Sequence, residues 1–414
     1  MQLLERQPQL RTETEDADAL IKEARRLRRR RQAFTLTLAV LVIGVGMGLG
    51  LALSSRKAGR GHQLANRANV PSSGPLSTTV VPKTPGALSV DQNGNLYLVD
   101  IGRDQVLRRL PGGRFQVVAG NSKLGFSGDG GQALHAQLRL QAHSGIAVAS
   151  NGTVYIADSG NDRVRAALPN GRIETVAGGG KLALPSTRGA SVPARSADLG
   201  GVAGLAIGAN QELYIGARFI VRLTSNHKLE WVAGSNRPAE HLCSAPECSV
   251  AERGFDNVTG LAFDGVGNLV VSGGNLPGSG YPLAEIRANG RPIYLTANAR
   301  GVGGQPAAVA SGPNGSVVLA TQIGVYQIPE NSRTLQPVTG DSTTGSTPSQ
   351  LSAALTAATG DGARRIKETF YGGDGIAAGT GGQIYADAQP FIGLTFDTIV
   401  QLSHSGRAIV LWRS

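Results

Sequence analysis

Six segments of this chain open on the same short motif of small apolar residues, and that repetition limits the fold more than any other feature. The segments are GALSV (86–90), GIAVA (145–149), GLAIG (204–208), GLAFD (260–264), AAVAS (307–311) and GIAAG (375–379). A tight turn follows each one, reading DQNG, ASNG, GANQ, DGVG, GPNG and GTGG, and then a second apolar run: NLYLV, TVYIA, ELYIG, NLVVS, SVVLA and QIYAD. Asn-Gly and related pairs between apolar runs mark hairpins, because both central residues of the tight turn need positive φ. A third and a fourth strand complete each unit: QVLRRL-PGGR-FQVVAG (105–120) matches RVRAAL-PNGR-IETVAG (163–178) almost position by position. Four strands in each of six units predict an all-β, six-bladed β-propeller over residues 84–414. No unit has enough apolar surface to stand alone, so the blades must pack around an axis.

The repeat resembles that of the NHL family, P-x-G-[IV]-A-V-D…G-N-[IL]-Y-[IV]-A-D-x-x-N-H-R-[IV]. The second unit, GIAVASNGTVYIADSGNDRV, keeps Gly145, Tyr155, Asp158, Asn161 and Arg163, and places Asp162 where the family often has His. The connector VAGNSKLGFSGDGGQALHAQL (118–138) is similar to that of the bacterial and teneurin-like branch. Units 4 and 5 lose both the Tyr and the Asp. The resemblance implies the fold, and it says little of function, since one propeller fold hosts unrelated activities.

The chain's 58 Gly and net charge of +11 must be located before they are interpreted. Residues 1–33 contribute +3 and residues 54–83 contribute +5, which leaves +3 for residues 84–414. A nucleic-acid binder concentrates basic charge on its folded domain. This chain does not, and no nucleic-acid partner is expected.

Residues 34–53, FTLTLAVLVIGVGMGLGLAL, carry no ionisable side chain and match the hydrocarbon core of a bilayer at about 30 Å. Lys22, Arg25, Arg26 and Arg28–Arg31 precede them, against Arg56, Lys57 and Arg60 after. The positive-inside rule makes 34–53 a single transmembrane signal anchor of the plasma membrane, with the N-terminus cytoplasmic and the propeller extracytoplasmic. A cleaved signal peptide would have a shorter apolar core and a better small-x-small site. Residues 1–33 read as a cytoplasmic tail with a short helix over 14–31, and residues 54–83 as a flexible linker. Gly44 and Gly48 are spaced to let two such helices approach, the expected route to a dimer.

In a four-stranded blade the long connections share one face. Here they fall at 121–142, 179–200, 235–256 and 339–374, far longer than the turns opposite, so a ligand is expected on that face. Asp129, His143, Asp158, Asp162, Arg163 and Asp374 are its candidate ligand-binding residues. Asp129 in GFSGDGG is echoed by Asp374 in YGGDG, yet the spacing lacks the regularly placed oxygens of a calcium loop, so no metal and no cofactor is expected. A basic residue follows the last hairpin turn of every unit (Arg114, Arg172, Lys228, Arg291, Arg333, Arg407), where charge at the start of an outermost strand discourages edge pairing. Cys243 and Cys248 are the only cysteines, and outside the membrane they are expected to form a disulfide.

These features favour a membrane-anchored binding or sensor module that engages an extracytoplasmic protein, peptide or cell-wall ligand. It resembles the sensor propellers of some bacterial receptor kinases, without a kinase. The competing reading is a hydrolase or lyase of the lactonase kind with a metal at the central channel. Only His143 and Asp374 of the residues preceding the inner strands are ordinary ligands or acid–base groups, and the expectation therefore leans against an enzyme.

Overall fold

A computed structural model of the chain describes residues 79–234 without a break and, beyond them, 258–273, 283–287, 292–294, 306–321, 324–330, 332, 335–338, 364–365, 372–379, 382–388, 398–402 and 407–413. Residues 1–33, residues 34–53 and both cysteines lie outside the described residues. Among the described residues no helix is long and apolar enough to cross a membrane.

The described chain is all β apart from single 3-10 turns, in six separate antiparallel sheets consistent with a six-bladed propeller. The inner strands are Pro85–Val90, Ile146–Val148, Leu205–Ile207, Val258–Phe263, Pro306–Ser311 and Gly372–Ala378, each within two or three residues of its sequence motif. Each inner strand touches the next, and the sixth touches the first, which closes a ring. Small apolar side chains from all six line an axial channel of about 220 Å³.

The core is divided among the blade interfaces. Six buried clusters each join one blade to its neighbour; Ile156 of blade 2 packs with Val99 of blade 1, and Ile215 of blade 3 with Val164 of blade 2. Burying one such side chain stabilises the fold by roughly 1.5–3 kcal/mol. The alternation seen in the sequence serves this arrangement, since successive residues of a strand face opposite neighbouring blades.

One expectation is corrected. Blades 1, 3 and 6 carry a fifth, outermost strand: Thr79–Val80, Ser191–Pro193 and Arg364–Arg365 pair with Phe115–Ala119, Lys228–Ala233 and Arg407–Arg413. Lys228 and Arg407 therefore do not start exposed edges. Thr79–Val80 join blade 1 itself. Blade 6 closes the ring by packing on blade 1, with Ala377, Tyr385 and Ile399 against Leu88, Leu98 and Leu107. The approach is so close that a Cβ on Gly375 would lie 2.2 Å from the carbonyl oxygen of Gly86. Only glycine fits there.

Candidate functional site

The long connectors of blades 1–3 are fastened to the blades by aspartates in a repeated D-x-x-x-D pattern. Asp100 ends the second strand of blade 1, and its carboxylate accepts hydrogen bonds from the Lys83 and Thr84 amides at 2.9 and 3.0 Å. Asp104, four residues on, has φ 50° and accepts the Leu140 amide at 2.8 Å. Blade 2 repeats both contacts. Asp158 accepts the Arg139 amide at 2.7 Å, and Asp162, at φ 51°, accepts the Gly201 amide at 2.9 Å. The first Asp of each pair holds the segment arriving at its blade, and the second holds the segment leaving it. Asp162, where the family motif often has His, thus has a defined use.

Asp100 and Asp158 are both fully buried. Burial raises the Asp158 carboxyl above its ordinary value, only partly offset by the Arg139 amide, Asn161 and Arg165. Burial likewise raises Asp100 against the amides of Thr84 and Lys83 and the charge of Arg103.

Arg165 is the charged residue that sequence reasoning missed. Its side chain has no exposed area, and it bridges Asp158 at 3.4 Å and Asp129 at 2.7 Å while donating to the Ser127 carbonyl at 3.1 Å. Asp129 also accepts from Thr175 Oγ1 at 2.7 Å, so this Gly-flanked carboxylate anchors the connector onto blade 2. Arg163 lies over the Phe126 ring at 4.0 Å from its centroid and donates to the Asn161 carbonyl, and the Arg165 guanidinium lies 4.9 Å from the same centroid. A sequence signal for Arg165 would have been its position in a strand otherwise facing the core.

His143 stands apart, on the lip of a cavity of about 390 Å³ beside the channel mouth, with Ser159, Gly200, Gly201, Val202 and Arg218. Next to it, Ser144 Oγ and Ser159 Oγ share a hydrogen bond at 2.5 Å. Asp374 lies on the inner strand Gly372–Ala378 of blade 6, and its side chain is outside the described residues. Of the six candidates, Asp129 and Asp158 are joined through Arg165, Asp162 and Arg163 lie beside them in the chain, His143 lines the cavity, and Asp374 is not placed with any of them.

A metal at the channel does not fit the donors seen. Among the described residues no three His, Cys, Asp or Glu side chains come together, and none of those four residue types is in the channel lining.

Residues 120–252 match the family model described as the Teneurin NHL domain, so the chain contains an NHL-repeat domain. No curated protein matches the chain in sequence. Solved structures similar to it include the virginiamycin B lyase of Staphylococcus aureus, 11% identical over 79% of this chain and 83% of that one, with a TM-score of 0.43. A gluconolactonase from Xanthomonas campestris is 12% identical over 76% and 86%, with a TM-score of 0.46. The extracellular domain of a proposed hybrid two component system from Bacteroides thetaiotaomicron is 12% identical over 80% of this chain and 34% of that one, with a TM-score of 0.44. The leaning against an enzyme is corrected here: a lyase and a gluconolactonase stand among the similar structures.

Proposed function

We propose that this chain is a membrane-anchored, extracytoplasmic propeller whose connector face engages a protein, peptide or cell-wall ligand. Residues 34–53 serve as the anchor, with the N-terminus cytoplasmic, and Gly44 and Gly48 are the contact through which two anchors pair. One observation carries the ligand-face reading. Asp100, Asp104, Asp158 and Asp162 fix the long connectors, so the surface they form loses little freedom on binding. Exposed apolar side chains stand on that fixed surface: Leu124 is 63%, Phe126 42% and Leu182 49% exposed. Apolar anchors on a rigid frame are what a partner surface needs.

Crosslinking followed by pull-down from native membranes tests this. Wild-type chain should capture a defined extracytoplasmic partner, and Leu124→Asp with Leu182→Asp should lose it at unchanged melting temperature. An identical capture profile for both proteins would overturn the ligand-face reading. Protease treatment of intact cells should remove residues 79–414 and spare an N-terminal tag; the reverse pattern would overturn the topology.

A second reading is turnover of the bound ligand, as in a hydrolase or lyase, and His143 favours it. Its imidazole is a side chain able to take or give a proton, and it lines the mouth cavity. Hydrolysis of a lactone or ester panel by the wild type, lost in His143→Ala, supports turnover; equal rates in both proteins reject His143 as its agent.

A further inference from the structure

We infer that the cavity beside the channel mouth, on the flank of blades 2 and 3, is a binding site for a small ligand with an oxyanion head, a carboxylate or a phosphate, seated on Arg218. The inference rests on the connector face being the ligand face, and it adds a ligand class and a named cation.

The first observation is charge. The cavity lining holds Arg218 and His143 and no carboxylate. Four other arginines of the connector side are engaged, Arg165 with Asp129 and Asp158, Arg103 with Asp100, Arg195 with Glu174, and Arg163 with the Phe126 ring and the Asn161 carbonyl, and neither Arg139 nor Arg188 lines the cavity. Among the described residues Arg218 has no carboxylate partner and is exposed to the cavity. A guanidinium offers a planar fork of donors matched to carboxylate and phosphate oxygens.

The second is preparation of the space around that guanidinium. Gly200 and Gly201 have φ of 62° and 98°, and their amides are held by Asp198 at 3.0 Å and Asp162 at 2.9 Å. Both carboxylates are thereby occupied with backbone, outside the cavity lining. A Cβ on Gly200 would lie 3.0 Å from Arg218 Nη2, so glycine leaves room for the guanidinium.

The third is the backbone of His143, at φ 65°. This fold uses glycine at most positive-φ positions, and where it keeps a larger residue the side chain is commonly employed. Asp104 and Asp162 accept connector amides, and Gln211 accepts from Ser150. A histidine held at such a φ on the lip of a cavity fits the same rule. At about 390 Å³ the cavity also falls within the range of small-ligand sites.

The test is titration of the full chain, purified in mild detergent, with glucuronate, glucose 6-phosphate and glucose by calorimetry. Saturable binding of at least one anion with none of glucose is expected, and the stronger anion identifies the head group. Arg218→Ala should weaken that binding at least tenfold, Arg218→Lys less, and Gly200→Ala should weaken it with Arg218 retained. Equal binding of glucose, no saturation by either anion, or unchanged affinity in Arg218→Ala would each overturn the inference. Val266→Asp, at an exposed apolar residue that is not part of the cavity lining, serves as the control and should leave the anion affinity unchanged. Partner capture that depends on Leu124 while no anion binds would leave the ligand-face reading standing and this inference rejected.

Discussion

Asp104 of blade 1 and Asp158 of blade 2 accept hydrogen bonds from consecutive backbone amides, those of Leu140 and Arg139. A single turn of connector is therefore shared between two blades, and the ligand face of one blade cannot shift without its neighbour. The two aspartates differ in depth, with Asp158 fully buried beside Arg165 and Asp104 partly exposed.

That difference separates two substitutions. Asp158→Ala leaves the buried Arg165 with only Asp129 as its charge partner and strands the Arg139 amide, at an expected cost of about 3–5 kcal/mol. Asp104→Ala loses one charge-assisted bond to an amide, at about 1.5–3 kcal/mol. Chemical denaturation of the two variants should rank them in that order; equal losses would mean that Arg165 does not depend on Asp158.

The pH dependence has a definite sign. Burial raises the Asp100 and Asp158 carboxyls above their ordinary value of 3.8. Between that value and the raised one the folded chain binds more protons than the unfolded chain, so these groups add stability as pH falls through the window and lose it as pH rises. Asp158→Asn cannot titrate. The melting temperature of the wild type should therefore improve relative to Asp158→Asn as pH is lowered from neutral toward about 4; a gap moving the other way would sink the assignment.

Phe126 and Arg163 should be energetically coupled. Their ring–guanidinium contact is 4.0 Å, and Phe126 is 42% exposed. A double-mutant cycle with Phe126→Leu and Arg163→Gln should return a coupling of about 0.5–1 kcal/mol. A value indistinguishable from zero would show that the ring merely covers the connector.

Ring closure can be tested at two places. Gly375→Ala drives a methyl group into the Gly86 carbonyl and should destabilise the propeller by about 1–3 kcal/mol or more. Thr79→Pro, at the exposed end of the added outer strand, should cost about 0.5 kcal/mol or less. Denaturation midpoints that rank these two the other way would show that the ring depends on the outer strand and not on the Gly375–Gly86 seam.

The inner and second strands were legible in the sequence because each buries a period-two pattern between two blades and ends in a turn that demands glycine or asparagine. Thr79–Val80, Ser191–Pro193 and Arg364–Arg365 were not, since two or three residues at an edge need no apolar alternation to pair. Arg165 escaped notice because its partner Asp129 arrives from a connector 36 residues upstream. The fastening aspartates were half legible: DIGRD and DSGND share one spacing, but their amide partners are backbone and leave no residue signature. Arg218 lies outside the repeat altogether, in the second-to-third-strand turn of a blade that lacks the Asp.

The outer strand Thr79–Val80 gives the domain a particular response to tension. Any pull from the N-terminal side meets the Thr79–Gln116 and Val80–Phe115 pairings at the rim first, then Val81, held by Arg103, and only then the Lys83 and Thr84 amides on Asp100. Peeling these contacts in turn would pay out residues 79–84, about 20 Å of chain, while the Gly375–Gly86 seam stays shut. The rim thus works as a slack line, yielding length to mechanical load before the ligand face feels it.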